Sequence, residues 1–181
     1  MIELITDAYR AQQAQLHQNP DYGTASVHFA PFVADVMQAL NATELLDYGA
    51  GKGRLHQALT PLLKWPLTVT HYDPAIPEWS AIPEPSNFVT CIDMLEHVEP
   101  PLIDNVLDDL QRVTAGFAVF TVHTGPAMKK LADGRNAHLI QQPPAWWLPT
   151  MLARFELVQF NRVENGFVVV VQKMASVTVV A

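Results

Sequence analysis

The chain has 181 residues, with 49% hydrophobic and 16% charged side chains. That length and balance fit one folded domain with a sizeable core and exclude a disordered, charge-rich chain. A net charge of −7, with only 11 Lys and Arg and no dense basic run, argues against a general attraction to nucleic-acid backbones.

The single cysteine, Cys91, cannot form an internal disulfide, which suits a reducing cytoplasm. The opening residues Met1-Ile2-Glu3-Leu4 lack the basic start and apolar run of a signal peptide. No apolar stretch nears the roughly 18–20 residues that cross a bilayer. A soluble chain with no membrane span is expected.

In chain order, residues 1–18 predict an amphipathic helix with Ile2, Ile5, Tyr9 and Leu16 on one side. Asn19-Pro20-Asp21-Tyr22-Gly23 is turn chemistry, with Tyr22-Gly23 a possible lid over a neighbouring site. Phe29, Phe32, Val33, Val36, Met37 and Leu40 follow helical spacing. Leu45 to Tyr48 reads as a short strand, Leu55 to Leu63 as a helix, and Leu67 to Tyr72 as a strand. Four prolines at 74, 77, 83 and 85 rule out a regular helix before the strand Phe88 to Ile92. A helix follows from Pro101 or Leu102 to Arg112, then a strand from Phe117 to Val122 and a helix from Pro144 to Arg154. Strands Phe155 to Phe160 and Phe167 to Gln172 flank Glu164-Asn165-Gly166. The apolar tail Val177 to Ala181 suits an edge strand, a partner contact or a loose end.

Strands alternating with helices predict an α/β, Rossmann-like, mostly parallel sheet with helices on both faces. The last two strands are joined too tightly for a crossover, so the final strand runs antiparallel. The proline-rich stretch leaves one sheet edge trimmed. One domain over 1–181 is expected, with N-terminal helices in 1–42 and the core in 43–174.

The main motif is Leu45-Leu46-Asp47-Tyr48-Gly49-Ala50-Gly51-Lys52-Gly53. A strand runs into closely spaced glycines, which let the chain bend and a ligand lie on bare backbone. Asp73 ends the next strand, 20 residues after Gly53, where a carboxylate can accept from both hydroxyls of a ribose. The dinucleotide fingerprint G-x-G-x-x-G fails, because its third glycine position holds Arg54. The acidic Asp47 before the bend would also repel a pyrophosphate.

With Asp93-Met94-Leu95-Glu96-His97-Val98, these residues resemble the class I S-adenosylmethionine (SAM)-dependent methyltransferases. The resemblance runs through most of the chain from about residue 45. It implies that Asp47, Gly49 and Gly51 line the methionine end of SAM, that Asp73 holds the ribose, and that Gly53, Asp93 and Met94 also border the cofactor. The short segment 74–87 departs from the pattern where adenine contacts belong.

Asp93, Glu96 and His97 stand at i, i+3, i+4, so a helical turn there would put them on one face. Two carboxylates and a histidine suit Mg²⁺ or Mn²⁺, and Zn²⁺ is an alternative. The pattern is similar to the E-x-x-E-H motif of small-RNA 2′-O-methyltransferases and the L-E-H motif of ubiquinone-biosynthesis O-methyltransferases. By the former resemblance His138, ahead of Trp146-Trp147, completes a metal set of Asp93, Glu96, His97 and His138. The other reading is that Glu96 and His97 only pack or hydrogen-bond beside the cofactor. Without metal, His97, His123 or His138 is the candidate general base.

The expected function is SAM-dependent O-methylation of a small hydroxylated molecule or nucleotide; acidity disfavours a large nucleic acid. A catalytically silent SAM-binding scaffold is the alternative, which would leave no open cavity beside Asp93. A dinucleotide oxidoreductase is the third, disfavoured by Arg54. The sequence does not reveal the oligomeric state.

Overall fold

A computed structural model describes residues 2–175. The tail Val177 to Ala181 lies outside the described residues. Two helices lead, α1 (Asp7–His17) and α2 (Ala25–Leu40). Then come β1 (Glu44–Tyr48), α3 (Arg54–Leu59), β2 (Thr68–Tyr72) and β3 (Ser86–Ile92). The chain ends with α4 (Ile103–Val113), β4 (Thr114–His123), α5 (Pro144–Leu152), β5 (Phe155–Val163) and β6 (Gly166–Lys173).

The six strands are ordered β2-β1-β3-β4-β6-β5. The first four run parallel, and β6 pairs antiparallel with both β4 and β5. Among the described residues nothing lies outside β2, so that edge is short, as residues 74–87 predicted. Only a single 3-10 turn, Pro77–Trp79, forms between β2 and β3.

Side-chain alternation places helices on both faces. Leu46, Val89, Phe120 and Val169 point to the layer of α4 and α5. Leu45, Phe88, Val119 and Val170 point to α2 and α3. Each buried large apolar side chain contributes about 1.5–3 kcal/mol.

Element ends differ from expectation for local reasons. The first helix starts at Asp7, because Thr6 caps it by accepting the Tyr9 N–H at 3.3 Å. Ile2 therefore lies outside the helix and exposed. The third helix stops at Leu59 rather than Leu63, since Pro61 has no N–H to continue the ladder. Trp147 is core, whereas Trp146 is half exposed, and neither borders a cavity.

Candidate active site

β1 ends in a backbone bend. Gly49, Gly51 and Gly53 all adopt positive φ, at 79°, 55° and 65°. A Cβ at Gly49 would lie 2.5 Å from Met94 Cγ, so the bend and Met94 exclude any side chain there. The Gly49 and Ala50 N–H groups both donate to Tyr72 O, at 2.8 and 3.0 Å. The end of β2 is thereby tied to the bend.

Asp73 points at the bend. Its Oδ2 accepts the Gly51 N–H at 3.0 Å and its Oδ1 accepts the Ala75 N–H at 2.9 Å. Each carboxylate oxygen keeps a further lone pair. Asp47 is buried; its Oδ1 accepts from Thr90 Oγ1 at 3.1 Å, and Oδ2 stands 3.9 Å from His71 Nδ1.

A cavity of about 440 Å³ opens over the bend and is lined by Asp47, Gly49, Gly51, Asp73, Asp93 and Met94 among others. Gly53 lies deeper, as the left-handed residue before α3. At its other end the same cavity meets His97, His123 and His138. The rings of His97 and His123 lie 4.7 and 4.8 Å from that of His138.

Backbone contacts select which nitrogen carries the proton in two of the three rings. His97 Nδ1 donates to Ala137 O at 2.8 Å, and His138 Nδ1 donates to Gly125 O at 2.7 Å. Both rings therefore keep an unprotonated Nε2. His123 differs: its Nδ1 stands 3.1 Å from both the N–H and the carbonyl oxygen of Gly125, so the Gly125 backbone accommodates either tautomer. Burial lowers the pKa of His97 to about 3, with His138 adding to the effect. Burial also lowers that of His138.

The expected metal set of Asp93, Glu96, His97 and His138 does not assemble. Among the described residues, no group of three or more His, Cys, Asp and Glu is disposed to hold a metal ion. The reason is local. Asp93 takes positive φ, 46°, and the 3-10 turn begins only at Leu95, so no single helical face carries all three. Asp93 Oδ1 instead accepts from Thr121 Oγ1 at 2.8 Å. Glu96 is turned inward, and its Oε1 accepts the His123 N–H at 2.8 Å. Its Oε2 has no partner, and burial, helped by nearby Asp93, raises its pKa well above the carboxylate range. An inward-turned carboxyl engaged by the His123 N–H, beside an Asp93 engaged by Thr121, does not present the converging set of free donors that Mg²⁺, Mn²⁺ or Zn²⁺ takes.

Residues before β1 roof the cavity. Tyr9, Gln13 and His17 of α1, spaced by four, line it together with Tyr22 and Gly23. Tyr22 OH donates to Gln13 Oε1 at 3.0 Å, so the turn does act as part of a cover. Lys52 donates to the carbonyls of Asn19 and Tyr22, Arg54 to that of Pro20, and Arg10 to that of Pro74. Thr6 binds Glu99 through both its N–H, at 2.9 Å, and its hydroxyl, at 2.8 Å.

The sequence reading missed His17, Gln13 and Thr121. The four-residue spacing of Tyr9, Gln13 and His17 was an available sign for the first two. Nothing in the sequence pointed to Thr121. Arg135 pairs with Asp133 at 2.7 Å rather than facing the cavity. Open cavities border Asp93, contrary to what a silent scaffold would have.

An α/β sheet with a glycine bend, an acidic residue at the end of the next strand and a confluent polar cavity defines a nucleoside-cofactor transferase. The sequence profile of the family described as "Methyltransferase domain" matches residues 16–166, and the chain belongs to that family. It is a SAM-dependent methyltransferase of class I. No curated protein matches the sequence.

Among solved structures, the fold is similar to Burkholderia thailandensis 1,6-didemethyltoxoflavin-N1-methyltransferase, whose structure has bound 1,6-didemethyltoxoflavin and S-adenosylhomocysteine. The TM-score is 0.63 at 17% identity, over 97% of this chain and 93% of that one. The mitomycin 7-O-methyltransferase MmcR gives 0.67 at 11% identity, over 90% of this chain and 61% of that one. The N-methyltransferase NodS of Bradyrhizobium japonicum, in complex with S-adenosylhomocysteine, gives 0.58 at 12%, over 93% and 100%. The chain thus spans about three-fifths of MmcR and nearly all of the other two. Among the described residues no helix is long and apolar enough to cross a membrane.

Proposed function

We propose that the chain moves the methyl group of SAM to the oxygen of a small hydroxylated molecule or nucleotide, on one domain and without a metal. The observation that carries this is the closure of Asp73 on the Gly51 amide at a positive-φ bend, under a cavity that continues to three histidines. In this reading Asp73 grips the ribose hydroxyls, and the bare backbone at Gly49 and Gly51 seats the amino-acid end beside Asp47. Gly53 shapes the bend, and Asp93 and Met94 border the nucleoside.

The sulfonium is already a good methyl donor, so the protein's work is alignment and proton removal. As the acceptor oxygen bonds to the methyl carbon, the carbon–sulfur bond breaks and leaves S-adenosylhomocysteine. The acceptor proton passes to a histidine. His138 suits this best of the three: its Nε2 is free and borders the cavity. His97 is also free at Nε2 but too weakly basic at about 3, and the Nδ1 of His123 meets both polar atoms of the Gly125 backbone, which does not reserve its Nε2 for accepting a proton. A small acceptor is supported by the acidity of the chain and by the small-molecule acceptor bound in the toxoflavin-pathway structure. A cytoplasmic setting belongs to the same proposal; the one cysteine, Cys91, is a buried thiol.

Calorimetric titration with SAM, S-adenosylhomocysteine and NAD tests the cofactor half. Binding of the first two and not of NAD is expected; no heat with either adenosyl compound ends the proposal. Transfer of tritiated methyl from SAM to a panel of phenols and ribonucleosides tests the acceptor half. Label only on amines would move the acceptor atom from oxygen to nitrogen.

A further inference from the structure

A second recess, of about 300 Å³, adjoins the large cavity. Ala25, Asp93 and His123 line both, so the two spaces adjoin along these three residues, which form the neck between them. Beyond that neck the recess is walled by His28 and Phe29 of α2 and by Glu164 and Gly166 at the β5–β6 turn. Nothing in the cofactor reading uses this space.

Methyl transfer requires the entering atom to approach on the side of the carbon opposite the sulfur, about 3–3.5 Å away. Two adjoining cavities give donor and acceptor separate spaces on different sides of the same residues. The recess also has its own chemistry. Glu164 makes no ion pair or side-chain hydrogen bond among the described residues, and no lysine or arginine lines the space. Asp93 Oδ1 is held by Thr121, while its other oxygen takes no hydrogen bond among the described residues. The remaining wall is flat and apolar: Phe29, edge-on to His28 at 5.4 Å, with Val122 and Val163. Aromatic walls accept a planar ring, and a lone carboxylate at a recess favours a cation.

Glu164 also stands on a fixed support. Asn165 O accepts from Thr124 N at 2.8 Å and from Thr124 Oγ1 at 3.1 Å. A Cβ at Gly166 would lie 2.2 Å from Val122 O, so the turn sits hard against the end of β4. Residues 165 and 166 therefore cannot drift away from the neck without breaking the sheet edge.

We propose that this recess is the anchoring subsite of the methyl acceptor and selects a small aromatic molecule with a cationic tail. The ring lies on Phe29, the ammonium meets Glu164, and the reacting hydroxyl reaches the neck at Asp93 and His123. The inference rests on the reading that the large cavity holds SAM.

The test uses the full chain saturated with S-adenosylhomocysteine and two probes, tyramine and 4-ethylphenol, which share a phenol ring but differ in the ammonium. Amide NMR is expected to show tyramine shifting Ala25, Phe29, Asn165 and Gly166. Tyramine should bind about fivefold more tightly than 4-ethylphenol, the upper range for one exposed ion pair. Glu164→Gln should erase that preference and leave the affinity for S-adenosylhomocysteine unchanged. Three results overturn the inference while leaving the cofactor reading intact: no tyramine binding, shifts confined to Val98, Lys129 and His138 in the large cavity, or an unchanged preference in Glu164→Gln. Failure of S-adenosylhomocysteine to bind, seen at the saturation step, overturns both.

Discussion

The two ends of the large cavity are built differently. The glycine bend is made of backbone: three positive-φ glycines, two N–H groups on Tyr72 O, and one carboxylate folded back on the Gly51 amide. The histidine wall is made of side chains from three separate places, each oriented by the backbone of one other residue. A site of the first kind tolerates little change in shape. One of the second kind can alter its chemistry through one proton or one loop while the sheet stays intact.

Variants at the two ends should therefore fail in different ways. The largest effect is expected from His138→Ala, which should lower methyl transfer by about 10²-fold or more. Affinity for S-adenosylhomocysteine should hold within about twofold. Tritium transfer and calorimetry on the same preparation check both, and an equal loss in His97→Ala with none in His138→Ala would assign the base to His97.

Next comes Asp73→Asn, at the other end. Losing a charged acceptor costs about 1.5–3 kcal/mol, or roughly 10- to 100-fold in affinity for SAM. Calorimetry reads this directly, and an unchanged affinity would remove Asp73 from the cofactor's grip.

Gly49→Ala should cost about 1–3 kcal/mol of stability through its positive φ, seen as a lower melting temperature. Adding Met94→Ala relieves the 2.5 Å clash but not the backbone strain, so the double variant should recover only in part. Full recovery would make crowding, not conformation, the reason for the glycine.

The smallest loss at neutral pH is expected from Glu96→Gln. Burial keeps the folded Glu96 protonated above the ordinary carboxylate range, whereas the unfolded chain ionises within it. Unfolding then releases a proton, and this group's contribution to stability declines as pH rises through that range. The glutamine variant keeps an acceptor for the His123 N–H but cannot ionise. Its melting temperature relative to wild type should therefore climb between pH 4 and 8. A flat difference would mean that Glu96 is ionised in the folded protein.

The same contrast explains what was legible in the sequence. The bend, Asp73, the sheet order around the proline-rich stretch and the antiparallel final pair follow from local rules of glycine, proline and connection length. The Asp93-x-x-Glu96-His97 spacing misled because it assumed a helical turn, and Asp93 in fact adopts the left-handed conformation. Nor does spacing reveal that Glu96 turns into the core to hold His123, or that residues 124–143, lacking hydrophobic periodicity, bring His138 beside His97. Those outcomes depend on long-range packing, which no short window contains.

The fastenings of the roof carry one more consequence. Lys52, Arg54 and Arg10 all grasp main-chain oxygens rather than side chains. Every amino acid offers such an oxygen, so Pro20 can be exchanged provided the turn keeps its path, and Asn19 for residues such as Asp that still accept the Asp21 N–H, whereas Lys52 and Arg54 cannot. In a saturation-mutagenesis map, tolerance and intolerance should thus fall on opposite sides of one interface, with the intolerant side next to the glycines.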